Sequence, residues 1–143
     1  MTINQLSIFV ENKAGALGEI THILAQEKVD IRAMSIADTK DFGILRLIVS
    51  DEEKAKKALQ QNDCIVSITE VVGVAIPDEP GSLSKVMELL YTNGINVEYM
   101  YAFITISKQY AYVVVRVEDN NKAMKVLETN GVKLVDKEDI RNL

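Results

Sequence analysis

Asn12-Lys13-Ala14-Gly15-Ala16-Leu17 and, 66 residues further on, Asp78-Glu79-Pro80-Gly81-Ser82-Leu83 decide how this 143-residue chain is read. The same shift lays Ile20 over Val86, Ile31 over Val97 and Met34 over Met100. Beyond these the shift becomes 68, and Asp51, Lys54, Ala55 and Leu59 fall over Asp119, Lys122, Ala123 and Leu127. One unit is therefore written twice, with about two extra residues between Met100 and Ala111 that imply a longer hairpin in the second copy.

Working outward from those two stretches gives the same order of elements in each copy. Leu6, Ile8 and Val10, and again Val72, Val74 and Ile76, alternate with the period of a half-buried strand. After the glycine, Leu17, Ile20, Ile23 and Leu24, like Leu83, Val86, Met87 and Leu90, form the stripe of an amphipathic helix, and Gly94 suits the end of the second one. Residues 30–37 and 96–106, then 43–49 and 111–117, are rich in β-branched residues and read as paired hairpin strands. Asp51 and Asp119 sit where a carboxylate caps the next helix, accepting free N–H groups at the positive end of its dipole. Short final strands at 65–71 and 132–135 close the copies. The fold class is α+β, βαββαβ twice, with antiparallel sheets and the helices on one face of each. Modules at 1–70 and 71–143 are expected. No Pro/Gly/Ser linker divides 65 from 76, so the two should be held rigidly and packed side by side, which would offset part of the ordering entropy of two small cores.

The composition narrows the function. Hydrophobic residues make up 48% and charged residues 26%, as in an ordinary globular protein, and the formal charge of −5 comes without any Lys/Arg block to track a phosphate backbone. Nucleic acid is an unsuitable partner. Cys64, the one cysteine, offers neither a disulfide nor a multi-thiolate metal site, and its apolar run Cys64-Ile65-Val66 suggests a buried thiol in a reducing cytoplasm. No run approaches the ~20 apolar residues that span a bilayer, and the first residues lack the features of a secretory signal.

The stretch Val74-Ala75-Ile76-Pro77-Asp78-Glu79-Pro80-Gly81-Ser82-Leu83 closely resembles the first strand, loop and helix start of ACT domains, regulatory modules of many enzymes of amino-acid metabolism. Phe9 to Leu17 resembles it as well, with Ala14 where the family usually has proline. The resemblance covers essentially the whole chain, twice, and implies two ferredoxin-like modules. It also implies an amino-acid-binding regulatory protein with no catalytic domain or cofactor, signalling to a partner enzyme or to its own assembly, which could include a homodimer.

Independently of that resemblance, a glycine between strand and helix lets a guest come close, and the helix start offers N–H groups to an anion such as an α-carboxylate. The amides around Ala14, Gly15, Ala16 and Leu17, and around Gly81, Ser82 and Leu83, are the candidate cradles; Pro80 contributes stiffness and no donor. In ligand-binding ACT pairs, the resemblance implies that the loop's polar residue faces a polar residue at the start of the neighbouring module's second strand. Asn12 and Asp78 hold the first position, Asp30 and Asn96 the second. Edge-to-edge pairing through the second strands would join Asn12 with Asn96 and Asp78 with Asp30. The neutral pair suits a zwitterion better than two like charges do. Met34 and Met100 would help to shape the pocket.

Plainer readings stand beside these. Asn12, Asp78, Asp30 and Asn96 are common turn residues. The tyrosines and Phe103 suit cross-strand packing. His22 matches Glu88 in the repeat, which fits a solvated helix face. A regulatory subunit acting by protein contact, with a vestigial pocket, is the alternative that Ala14 favours. An acylphosphatase-like hydrolase would want a loop arginine, and neither loop has one; an RNA-binding module would want a basic-aromatic strand.

Overall fold

The structure is a computed structural model that describes residues 1–38, 40–105 and 107–143. It divides into an N-terminal unit, Asn4–Thr69, and a C-terminal unit, Glu70–Leu143 together with Met1–Ile3. The elements are β1 (Ile3–Glu11), α1 (Ala16–Gln26), β2 (Ile31–Asp38), β3 (Phe42–Val49), α2 (Glu52–Gln61) and β4 (Val66–Pro77). They continue with α3 (Ser82–Thr92), β5 (Val97–Ala102), β6 (Tyr110–Val117), α4 (Asn120–Thr129), β7 (Lys133–Val135) and α5 (Lys137–Asn142).

In the N-terminal unit the strand order is β2-β3-β1, with the start of β4 beside β1. Both β1 and β2 run antiparallel to β3: Leu6 faces Leu47 and Ile8 faces Leu45, while on the other side Met34 faces Leu47 and Ile36 faces Leu45. The period-2 alternation sends Leu6, Ile8, Val10, Leu45, Leu47 and Val49 to one side. There they pack with Ile20, Ile23 and Leu24 of α1 and Ala55, Ala58 and Leu59 of α2. Both helices thus cover the same face, as a strand-helix-strand crossover requires. Gln5 points to the other face, where it is fully buried and donates to Ser7 Oγ at 3.0 Å.

The C-terminal unit repeats the plan, in the order β5-β6-β4 with β7 on the other side of β4. Val72, Val74 and Ile76 meet Val113, Val115 and Val117 of β6, Val86 and Leu90 of α3, and Ala123, Met124 and Leu127 of α4. Even an irregularity recurs: the register shifts between Ile31 and Ala33 and between Val97 and Tyr99, the same place in both copies. A one-residue slip there re-aims the start of the edge strand.

Asp51 and Asp119 cap their helices as anticipated, each accepting the N–H three residues on, from Lys54 at 3.1 Å and Lys122 at 3.0 Å. The longer second hairpin is present: residues 103–109 connect β5 and β6, against 39–41 between β2 and β3. The expected end of the second copy's strand, Ile106, lies outside the described residues, and β5 itself stops at Ala102.

Three features correct the sequence reading. The last strand of one copy and the first of the next are a single twelve-residue strand, β4, with no break. The chain also ends in a helix, α5, that the apolar pattern did not reveal. Asp136 and Asp139 close a capping box at its start, the short polar signal that hydrophobic periodicity passes over. Cys64 is only partly buried, because it lies in the turn leading into β4, where its neighbour Ile65 is 71% exposed. No helix among the described residues is long and apolar enough to cross a membrane.

Candidate functional site

The loop between β1 and α1 and its counterpart between β4 and α3 share one backbone geometry. Gly15 (φ 88°, ψ −13°) and Gly81 (φ 89°, ψ −10°) are left-handed N-caps, a conformation that costs an L-residue about 1–2 kcal/mol. Nothing stands within 4 Å of where a Cβ would be at either position. The glycines are therefore required by their dihedral angles, and the space in front of them is open.

A glycine N-cap supplies no side-chain acceptor, and this separates α1 and α3 from α2, α4 and α5, each of which has an aspartate cap. Ala16 N–H reaches Lys13 O at 3.3 Å and Gly15 O accepts from Glu19, leaving the Leu17 and Gly18 amides with no backbone acceptor among the described residues. In the second copy Ser82 N–H reaches Glu79 O and Gly81 O accepts from Lys85, leaving Leu83 and Ser84. Two N–H groups at the positive end of each dipole are thus available to an anion. The sequence reading named Leu17 and Leu83 and missed Gly18 and Ser84. Counting N2 and N3 from the glycine caps would have found them.

Asn12 fastens its loop to the β2–β3 turn, donating its backbone N–H to Asp41 O at 3.0 Å and Nδ2 to Lys40 O at 3.1 Å. Asp78 repeats only the backbone bond, to Gln109 O at 3.1 Å. Asn12, Ala16 and Leu17 line a small cleft of about 90 Å³ with Ile36, Asp38 and Gly43. Leu17 and Ile36 are both about two-fifths exposed, and they give the cleft an apolar lip beside the free amides.

Asp30 and Asn96 sit at the other end of their sheets. Val10 pairs with Gly43 and Asp38 with Gly43, so the loop lies where β2 finishes, whereas Ile31, next to Asp30, faces Val49. Asn96 likewise precedes Val97, which faces Val117, while Pro77 beside Asp78 faces Tyr110. No single unit brings a loop residue and a strand-start residue together. Asp30 already holds Arg32 at 2.8 Å and exchanges hydrogen bonds with Ser50. Met34 is exposed on β2, whereas Met100 is half-buried against the core of its unit.

The family model described as ACT domain pair matches residues 1–143. The chain belongs to that family. Among solved structures, protein BT0572 from Bacteroides thetaiotaomicron is 45% identical with a TM-score of 0.93, covering 100% of this ACT pair and 98% of that chain. The ligand-free regulatory subunit of aspartate kinase from Thermus thermophilus has a TM-score of 0.63 at 14% identity, covering 88% of this chain and 90% of that one. Aspartate kinase from Synechocystis has a TM-score of 0.60 at 20% identity, with 93% of this chain matched to 26% of the enzyme. The two kinase likenesses are of fold alone. No curated protein matches.

Proposed function

We propose that this ACT pair is a non-catalytic regulatory protein that binds a free amino acid and passes its occupancy to a partner enzyme of amino-acid metabolism or to its own assembly. The observation that carries this reading is the pair of uncapped helix starts, each preceded by a left-handed glycine and each with two free N–H groups. An α-carboxylate fits that arrangement, and the Leu17–Ile36 lip suits a side chain. In this reading the ligand takes its polar contacts from the loop of one ACT module and the second strand of another, Asn12 with Asn96 in preference to Asp78 with Asp30. A site made by two modules couples to their arrangement, because a ligand shifts an equilibrium only by its differential affinity for the two states. A cytoplasmic setting belongs to the same reading.

Thermal unfolding of the full chain against a panel of free amino acids tests it. A ligand at about 100 times its Kd adds roughly 2.7 kcal/mol. One amino acid should raise the melting temperature by several degrees, and Asn12→Ala should abolish the shift. No shift at millimolar concentrations would remove the reading.

The alternative, a subunit that regulates an enzyme by contact alone, is favoured by Ala14 in the family's proline position and by the commitment of the Asn12 amide to Lys40. Capture of a partner enzyme with no amino-acid effect would decide for it.

A further inference from the structure

Each unit has a groove between the start of its first helix and the turn that leads into its last strand, and the two grooves have diverged. In the N-terminal unit it is about 270 Å³, between the start of α1 and the turn into β4. In the C-terminal unit the equivalent groove, between α3 and the turn from α4 into β7, is about 620 Å³. Its floor is Ile76, Val86, Leu89 and Val132.

We propose that this larger groove is a second ligand site, for a small amphiphilic molecule with one carboxylate and an apolar body. Three positions carry the argument. Ser82 is only 7% exposed, lines the groove and makes no side-chain hydrogen bond with another described residue. Its hydroxyl keeps access to the groove and is free to donate to a ligand oxygen. It sits in the first turn of α3, where the helix dipole favours negative charge. Lys85 and Lys133 also line the groove, and neither forms an ion pair with a described residue. The Lys133 ammonium lies 5.5 Å from the centroid of the Tyr110 ring, which holds it at the rim.

The repeat supplies an internal comparison. The positions of Ser82, Lys85 and Lys133 correspond to Ala16, Glu19 and Ile65, all lining the smaller groove. Its one ammonium, Lys13, is tied to Glu11 at 3.3 Å, and Glu19 and Asp63 add further negative charge. The N-terminal groove therefore repels a carboxylate. The C-terminal one balances its two lysines against Glu79 and Glu88, which leaves it near neutral and unsuited to a second acid group.

This site is independent of the amino-acid reading of the loops, and its test uses a ligand without an ammonium. The full ¹⁵N-labelled chain is titrated with 4-methylpentanoate, with 4-methylpentan-1-ol as the uncharged control, by amide NMR. Saturable shifts are expected at Ala75, Ile76, Val86, Leu89 and Val132 with the carboxylate alone. Ser82→Ala, Lys85→Glu and Lys133→Ile should each weaken it, the last two by about tenfold. Asn12→Ala should leave it unchanged. The two lysines are exposed, so their variants keep the fold, which the same spectra verify. The proposal is overturned by shifts that are absent at tens of millimolar or lie outside the groove, by equal binding of the alcohol, or by full affinity in the lysine variants.

Discussion

The Asp30 carboxylate lies 2.8 Å from the Arg32 guanidinium, so one of the two strand-start side chains already holds a cation. The carboxylate is 66% exposed and the Arg32 side chain only 17%, so solvent screens one side of the pair, and Asp30→Asn should cost about 1 kcal/mol by urea unfolding. Any amino-acid-induced rise in melting temperature should survive Asp30→Asn and fall sharply in Asn96→Ala. The reverse order would place the ligand with Asp30.

Two glycines should fail for different reasons. Gly81→Ala meets no atom but must hold a φ of 89°, so a loss of about 1–2 kcal/mol is expected from strain. A Cβ at Gly73 would stand 3.0 Å from Val135 Cβ and 3.1 Å from Ile3 Cδ1, so Gly73→Ala should cost about 1–3 kcal/mol by overpacking. Ile3→Ala is itself destabilising, but in that background Gly73→Ala should cost less than in the parent, and Gly81→Ala the same. A double-mutant cycle by denaturant unfolding measures both.

The aspartate caps should behave alike in the two copies. Asp51→Ala and Asp119→Ala are each expected to cost about 1 kcal/mol, and the Asn variants far less, because an amide oxygen still accepts from Lys54 or Lys122. Equal losses for Asn and Ala, again by denaturant unfolding, would show that packing and not capping fixes these helix starts.

Cys64 should react slowly with a disulfide reagent at neutral pH. Burial pushes its thiol pKa up, and the charges of Glu19 and Asp63 push it further. Only the thiolate attacks, so the rate should climb about tenfold per pH unit up to a pKa above that of free cysteine. Glu19→Gln should speed the reaction at a fixed pH near 8, less so in high salt. The linked stability has the matching sign: it is fully present below the unfolded thiol's pKa and is lost as pH rises through the folded one.

Most of the architecture was legible because the code for it is periodic and appears twice. Leu6, Ile8 and Val10 alternate, Ile20, Ile23 and Leu24 stripe a helix, and Asp51 and Asp119 announce helix starts in aligned positions. What escaped was written in isolated polar residues or in dihedral angles. Asp136 and Asp139 define α5 without an apolar stripe, and the free amides of Gly18 and Ser84 have no side-chain signature. Asn12 was correctly singled out as a loop residue, but its bond to Lys40 depends on a turn 28 residues away, which no local pattern contains. The charge exchange between the two grooves was present in the aligned repeats, at Glu19 over Lys85 and Ile65 over Lys133. It acquires meaning only once the fold shows that these positions line one wall.

The first three residues belong to the C-terminal unit. Ile3 is 1% exposed beside Gly73, Thr2 Oγ1 donates to the Glu70 carboxylate at 2.9 Å, and the terminal ammonium lies 2.9 Å from Met124 Sδ. Val135 flanks the same glycine, so this corner of the unit joins residues far apart in sequence. Such a distant closure slows folding, and until it forms Ile3 stays unburied. Removing residues 1–3 would therefore loosen the packing around Gly73, Met124 and Val135 in the second repeat.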